Sequence, residues 1–450
     1  MNFSRALALV ILPVCIAGCA RRISDEERAA RNEVRTALQV RAFARAIPAA
    51  RRVLRFAPAD NGAWARLAQA QHGLRDLAAL RQTLGEWRAA VKRTSPKYDE
   101  YRGDLALAEG RREEALAAWQ RAVSGKERRA RLFIKIARLQ QAAGHWQEAA
   151  LNWTRALTSK ASAETLVQRA ICYRHLHSWD AALADLQEAA RIAPQDPIVR
   201  RETARFDRLG KFLDEVRELD KQLTSLPDDA GLLGDRALLF LRAEDAALAL
   251  DDAERAAQLL PGAVRPKLLR ALAGRSLGHP LPPGIHSSLR LQSLTPEFLQ
   301  TISRLDAEVA AEPKSVELLT NRAWQLNEIG QPQLALADAR RALENDPKSA
   351  GASAEVSYAL AKLGRAVEAR EQIKEATALD PNFSTAWQYR GELEMGRHDY
   401  VAAIDSLSRA LAINRTPAAL AKREECYRKL GLLAKAEDDR KALEEISAPR

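Results

Sequence analysis

Aromatic side chains make up only 5% of this 450-residue sequence, and it holds just four cysteines. Ala, Leu and Arg dominate instead, and all three are strong helix formers, so the composition favours helices packed closely through small side chains. No pair of cysteines has metal-ligand spacing. Seven histidines are scattered along the chain, and the one close pair, His175 and His177, lacks the i, i+4 spacing that lets two imidazoles share a metal from one helix face. There is no glycine-rich phosphate loop and no nucleophile elbow. The many carboxylates are interleaved with arginines and read as solvated helix surface. No catalytic constellation, metal site or cofactor is therefore expected, and the sequence reads as a non-enzyme.

What is present is a period. Pro313, Pro347 and Pro381 fall 34 residues apart, as do Pro227 and Pro261. Small residues recur in phase with them: Ala182, Leu186, Ala189 before Pro194, then Ala249, Ala253, Ala256 before Pro261. The spacing returns in Ala335, Ala339, Ala342 before Pro347 and in Ala369, Ile373, Ala376 before Pro381. Alanines seven apart share one helix face and let a partner helix approach closely. A proline after the second helix stops it and turns the chain into the next unit. Gly110, Gly144, Gly330 and Gly364 sit where a first helix ends, a place that commonly needs positive φ.

These features, with the large–small pair Trp387 and Gly391, resemble the tetratricopeptide repeat family over most of residues 25–450. Repeat starts are expected near Asn61, Pro96, Ala130, Ala163, Pro197, Ala230, Val264, Val316, Ala350, Ser384 and Pro417, after an incomplete capping unit from about Asp25 to Pro58. The resemblance implies an all-α fold, a right-handed α-solenoid of about 11 helical hairpins. One unit departs from the period. Pro261 to Pro313 spans 52 residues, and the surplus contains Gly278, Pro280, Pro282, Pro283 and Gly284, which is loop composition. Thr295, Pro296 and Glu297 read as the cap and first turn of a resumed helix. A flexible bulge or hinge is the plainer reading of this insertion, a partner-binding loop the other.

The opening residues carry a different signal. Arg5 precedes an apolar stretch from Ala6 to Ala17, and small residues lead to Cys19. A run of this length falls short of the roughly 20 residues that span a bilayer, so it reads as a signal peptide. Ile16, Ala17, Gly18 and Cys19 resemble the lipobox of bacterial lipoproteins, which implies cleavage before Cys19 and acylation of its thiol. Ala20 after the cysteine implies, within that class, the outer membrane facing the periplasm. Cys172 and Cys426 are expected as small buried side chains, since their separation in a repeat array makes a bridge improbable.

The expected organisation is a signal peptide at 1–18, an anchor with capping helices at 19–60, a repeat block at 61–274, a loop insertion at 275–295 and a second block at 296–450. Charge divides unevenly between the two. Residues 301–450 hold 22 basic and 24 acidic side chains, net −2 of a total of +11, which leaves +13 for residues 1–300. Basic clusters lie at Arg21 to Arg55, suited to anionic lipid, and at Arg121, Lys126, Arg128, Arg129, Arg131, Lys135 and Arg138.

Family geometry implies that first-helix positions 2, 5, 9, 12 and 13 face the concave groove. These are Arg131, Arg138, Arg174 and His175 in the first block, and Trp324, Asn327, Tyr358, Lys362 and Gln388 in the second. The first set suits an acidic peptide or another polyanion, and the second offers aromatic anchors for a peptide, with a core position as the competing reading of Trp324 and Tyr358. A family clamp for C-terminal carboxylates has Asn321 in place but Glu355 at the next equivalent position, and so is not supported.

The reading is a lipid-anchored envelope scaffold for partner proteins, serving pilus, polysaccharide-export or cell-wall machinery. The alternative is a binding subunit for an acidic polysaccharide or wall polymer. Nucleic acid is a poor partner for an exported lipoprotein.

Overall fold

A computed structural model describes residues 23–123, 130–158 and 162–447. The signal segment 1–18, Cys19, and Lys126, Arg128 and Arg129 of the second basic cluster lie outside the described residues. Those described are all-α, with 24 α-helices and no strand. The chain divides into two compact units, Met1–Arg200 and Arg201–Arg450.

The first unit runs α1 (Asp25–Gln39), α2 (Phe43–Phe56), α3 (Asn61–Gly73), α4 (Leu77–Ala90), α5 (Pro96–Ala108), α6 (Arg112–Val123), α7 (Ala130–Ala142), α8 (Trp146–Leu157), α9 (Ala163–His175) and α10 (Trp179–Ile192). The division falls within α11 (Pro197–Gly210). The second unit continues α12 (Leu213–Ser225), α13 (Ala230–Arg242), α14 (Ala246–Leu259), α15 (Val264–Ser276), α16 (Pro296–Ala311), α17 (Val316–Glu328), α18 (Pro332–Asn345), α19 (Ala350–Lys362), α20 (Ala366–Leu379), α21 (Ser384–Met395), α22 (Tyr400–Ile413), α23 (Pro417–Lys429) and α24 (Leu433–Ser447). Every repeat start read from the period coincides with the first residue of an odd-numbered helix from α3 onward.

Local chemistry sets these boundaries. The side chains of Asp60, Ser162, Asp229, Ser315, Ser349 and Thr416 accept from backbone amides in the first turn of the first helix that follows, satisfying donors that a helix start leaves open. The in-phase alanines are buried, Ala335, Ala339 and Ala342 completely, so hairpin partners meet at close range. The glycine of α21 works the same way: a Cβ on Gly391 would lie 2.7 Å from Leu407 Cγ of α22. The turn between first and second helix uses a left-handed residue at one register position. Gly110, Gly144, Gly330 and Gly364 take φ of 70 to 79° there, but Arg75, His177, Glu244 and His398 take 54 to 60° at the same place.

The carboxylates expected at the surface are in part a buried ladder, because guanidinium forks at a fixed register position reach into the stack. Arg169 holds Asp185, Arg236 holds Asp252, Arg322 holds Asp338 and Arg423 holds Asp439, always 16 residues ahead and always bidentate. Arg236 and Arg322 also reach back 16 residues, to Asp220 at 2.7 Å and Asp306 at 2.9 Å. Asp306 in turn accepts from the amides of Val264 and Arg265 at 2.8 Å, so one carboxylate pins α15 to α16 and α17.

The long unit resolves as a packed segment and not as a free bulge. Leu289 is fully buried and Leu294 nearly so. The His286 amide donates to Gln331 Oε1 at 2.9 Å and the Ser288 hydroxyl to the Gly330 carbonyl at 3.0 Å, which seats the insertion on the α17–α18 turn. A burst of proline and glycine marks it as loop, but two buried leucines anchor it. Thr295 caps α16 by accepting from the Phe298 amide at 3.2 Å. Cys172 and Cys426 are buried free thiols, pushed by burial up to about 12 and about 11. No helix among the described residues is long and apolar enough to cross a membrane.

Candidate functional site

Several of the basic side chains that the sequence offers for a groove in the first unit are paired with acids. Arg131 forms an ion pair with Glu100, and Arg138 one with Glu164. Lys135 Nζ donates to Asp104 at 2.6 and 2.8 Å, and Arg121 to Asp99 at 3.1 Å. Burial opposes ionisation of Glu100, yet Lys97, Arg131 and Lys135 hold its carboxyl below the usual range. Arg174 is only 6% exposed. His175 stacks flat on Trp146 with ring centroids 3.7 Å apart. The residues read from sequence as a polyanion groove therefore meet acids, aromatics and core.

In the second unit the first helices α17, α19, α21 and α23 touch one another in succession and present one continuous face. Trp324 on α17 is 45% exposed and is the one aromatic among the exposed large apolar side chains of the described residues. Tyr358, 34 residues on, is half-buried and stacks on Tyr389 with centroids 4.3 Å apart, while Lys362 Nζ sits 4.8 Å over its ring. The two aromatics thus separate: Trp324 lies on the surface, and Tyr358 is shared between surface and core. Gln388 is half-buried and Asn327 buried.

Behind this face Glu355 is 4% exposed. Asn327 Nδ2 donates to its Oε2 at 2.8 Å and the Tyr389 hydroxyl to its Oε1 at 3.2 Å, so one carboxyl joins α17, α19 and α21. Burial pushes this group up to about 7, against the lowering effect of those two donors. Tyr358 is likewise raised by burial, to about 12. Asn321 remains exposed, while Glu355 at the equivalent position points its carboxyl inward, so the two make no clamp. Sequence reading missed Tyr389, although it stands 34 residues after Glu355, at the same register position. Among the described residues no group of three His, Cys, Asp or Glu side chains is arranged to hold a metal ion.

Comparison with curated proteins gave no match. Similar solved structures include MamA, 21% identical over 31% of this chain and 83% of that one, with a TM-score of 0.27. Yeast Tom70 is 13% identical over 78% of this chain and 84% of its own, with a TM-score of 0.31. The APC/C hetero-tetramer Cut9–Hcn1 is 13% identical over 94% of each chain, again at 0.31. The family model for the tetratricopeptide repeat matches residues 134–197, 320–382 and 357–416. Residues 134–197 and 320–416 are therefore tetratricopeptide repeats.

Proposed function

We propose that this protein is an envelope adaptor, anchored through acyl chains on Cys19, that captures partner proteins on the first-helix face of residues 316–429. The observation that carries the binding face is Trp324. An indole left 45% exposed on a rigid helix, beside a half-buried Tyr358, is the kind of side chain whose burial dominates protein–protein affinity. The charge of the same block supports a protein partner over a polyanionic polymer, since residues 301–450 are net −2 and the basic candidates Arg131 and Arg138 are paired. The anchor rests on the segment ending in Ile16, Ala17, Gly18 and Cys19, and with it the assignment to the periplasmic side of an outer membrane.

A pull-down from detergent-solubilised envelope with wild-type and Trp324→Ala protein tests the face. Proteins enriched by wild type and lost with the variant support it; identical recovery by both forms refutes it. Labelling with radioactive palmitate tests the anchor, with incorporation into wild type and none into Cys19→Ser.

A further inference from the structure

A cavity of about 300 Å³ opens between α19, α20 and α21. This is the lower end of the roughly 300–1,000 Å³ typical of ligand sites. Its wall is the Tyr358–Tyr389 stack, and three cations converge on it: Lys362 from α19, Arg370 from α20 and Arg397 just past α21. None of the three forms an ion pair among the described residues. Basic neighbours nearby do: Arg365 with Glu368, Arg390 with Glu394 and Lys374 with Glu371. Glu392 is the sole acid of the lining, and Lys422 already holds it. The cavity therefore concentrates uncompensated positive charge within a block that is net negative.

We infer that this cavity binds a carboxylate of a partner peptide, supplied by an acidic side chain or by a C-terminus. The inference rests on the protein-binding reading above and adds the chemistry of the bound segment. Guanidinium forks pair with carboxylates through two parallel hydrogen bonds, and Lys362 is held in place over the Tyr358 ring. The apolar surroundings select a peptide over a uronic acid chain. Val367, next to the lining residue Ala366, is 65% exposed and offers a seat for an apolar side chain beside the acid.

Fluorescence anisotropy on the full chain tests this with a labelled octapeptide of alternating Leu and Glu, its Leu–Gln counterpart, both C-terminally amidated, and the Leu–Gln peptide with a free C-terminus. The Glu peptide should bind about tenfold more tightly than the amidated Gln peptide, the gain of charge-assisted over neutral hydrogen bonding. The double variant Arg370→Glu, Arg397→Glu should erase that preference, and so should the milder Arg370→Gln, Arg397→Gln pair, with circular dichroism melts unchanged. A gain shown by the free-C-terminus peptide alone assigns the cavity to a chain end. Equal binding of all three peptides, or a preference that survives both variants, overturns the inference. So does alginate if it binds as tightly as the Glu peptide and is lost with the same variants. Should no peptide bind wild type, the cavity assignment falls, while partners lost only with Trp324→Ala would leave the proposed face standing.

Discussion

Arg322 and Asp306 lie 2.9 Å apart across two repeats, and the same guanidinium grips both oxygens of Asp338 at 2.7 and 2.9 Å. Arg322 is 2% exposed, so its removal strands two acids in the interior. Arg322→Ala should cost about 3–5 kcal/mol, the penalty of leaving buried charge uncompensated. Arg423→Ala should cost less, because that side chain is 21% exposed and its ladder partner is Asp439 alone. Urea denaturation followed by circular dichroism gives both values, and equal losses would contradict the ladder's unequal burial.

Glu355 gives the second unit a pH dependence of defined sign. Its carboxyl is raised from 4.5 to about 7 on folding, so the folded state holds a proton that the unfolded state has released. The associated stability is fully present below pH 4.5 and is lost as pH rises through 7, on the order of 3 kcal/mol. Thermal melts should show Glu355→Gln to be more stable than wild type at pH 8 and similar to it at pH 4.5. A constant difference between the two proteins across that range would contradict the assignment.

The period was legible because its markers are local. A proline that stops a helix and an alanine that admits a neighbour act wherever they occur, so the starts of the first helices from α3 to α23 could be placed by counting. The ladder was not read, though Arg169 and Asp185, Arg236 and Asp252, Arg322 and Asp338 repeat the same spacing, because arginine beside aspartate on a helix usually means solvent. Glu355 was read only as a departure from a clamp. Its burial depends on Asn327 and Tyr389 coming from two other helices. The cations Lys362, Arg370 and Arg397 stand apart only by lacking acids around them, which is a property of the assembled fold.

Hairpin turns offer a gain in stability. Arg75, Glu244 and His398 adopt left-handed backbone at φ 57, 58 and 60°, a conformation that costs a side-chain-bearing residue about 1 kcal/mol relative to glycine. Replacing all three by glycine should raise the melting temperature. Gly391→Ala should lower it, since its Cβ would stand 2.7 Å from Leu407. Differential scanning calorimetry on the two variants checks both signs.

The seated insertion predicts protection. Arg290 is exposed, yet its guanidinium donates to the carbonyls of Ser287 and Leu289, and Leu289 beside it is fully buried. Trypsin under native conditions should cut slowly after Arg290 in wild type and readily in Leu289→Ala, as read by mass spectrometry of the fragments. Rapid cleavage of the wild type there would return the segment to the status of a free loop.

On the proposed function, partners meet the first-helix face at Trp324. The most direct test places a photo-crosslinking amino acid at position 324 and, as control, at Arg340, exposed on the second helix α18. In cells producing the full chain, irradiation should give discrete protein adducts from position 324 and none from position 340. Adducts from position 340 alone, or the same adducts from both, would overturn the proposed binding face.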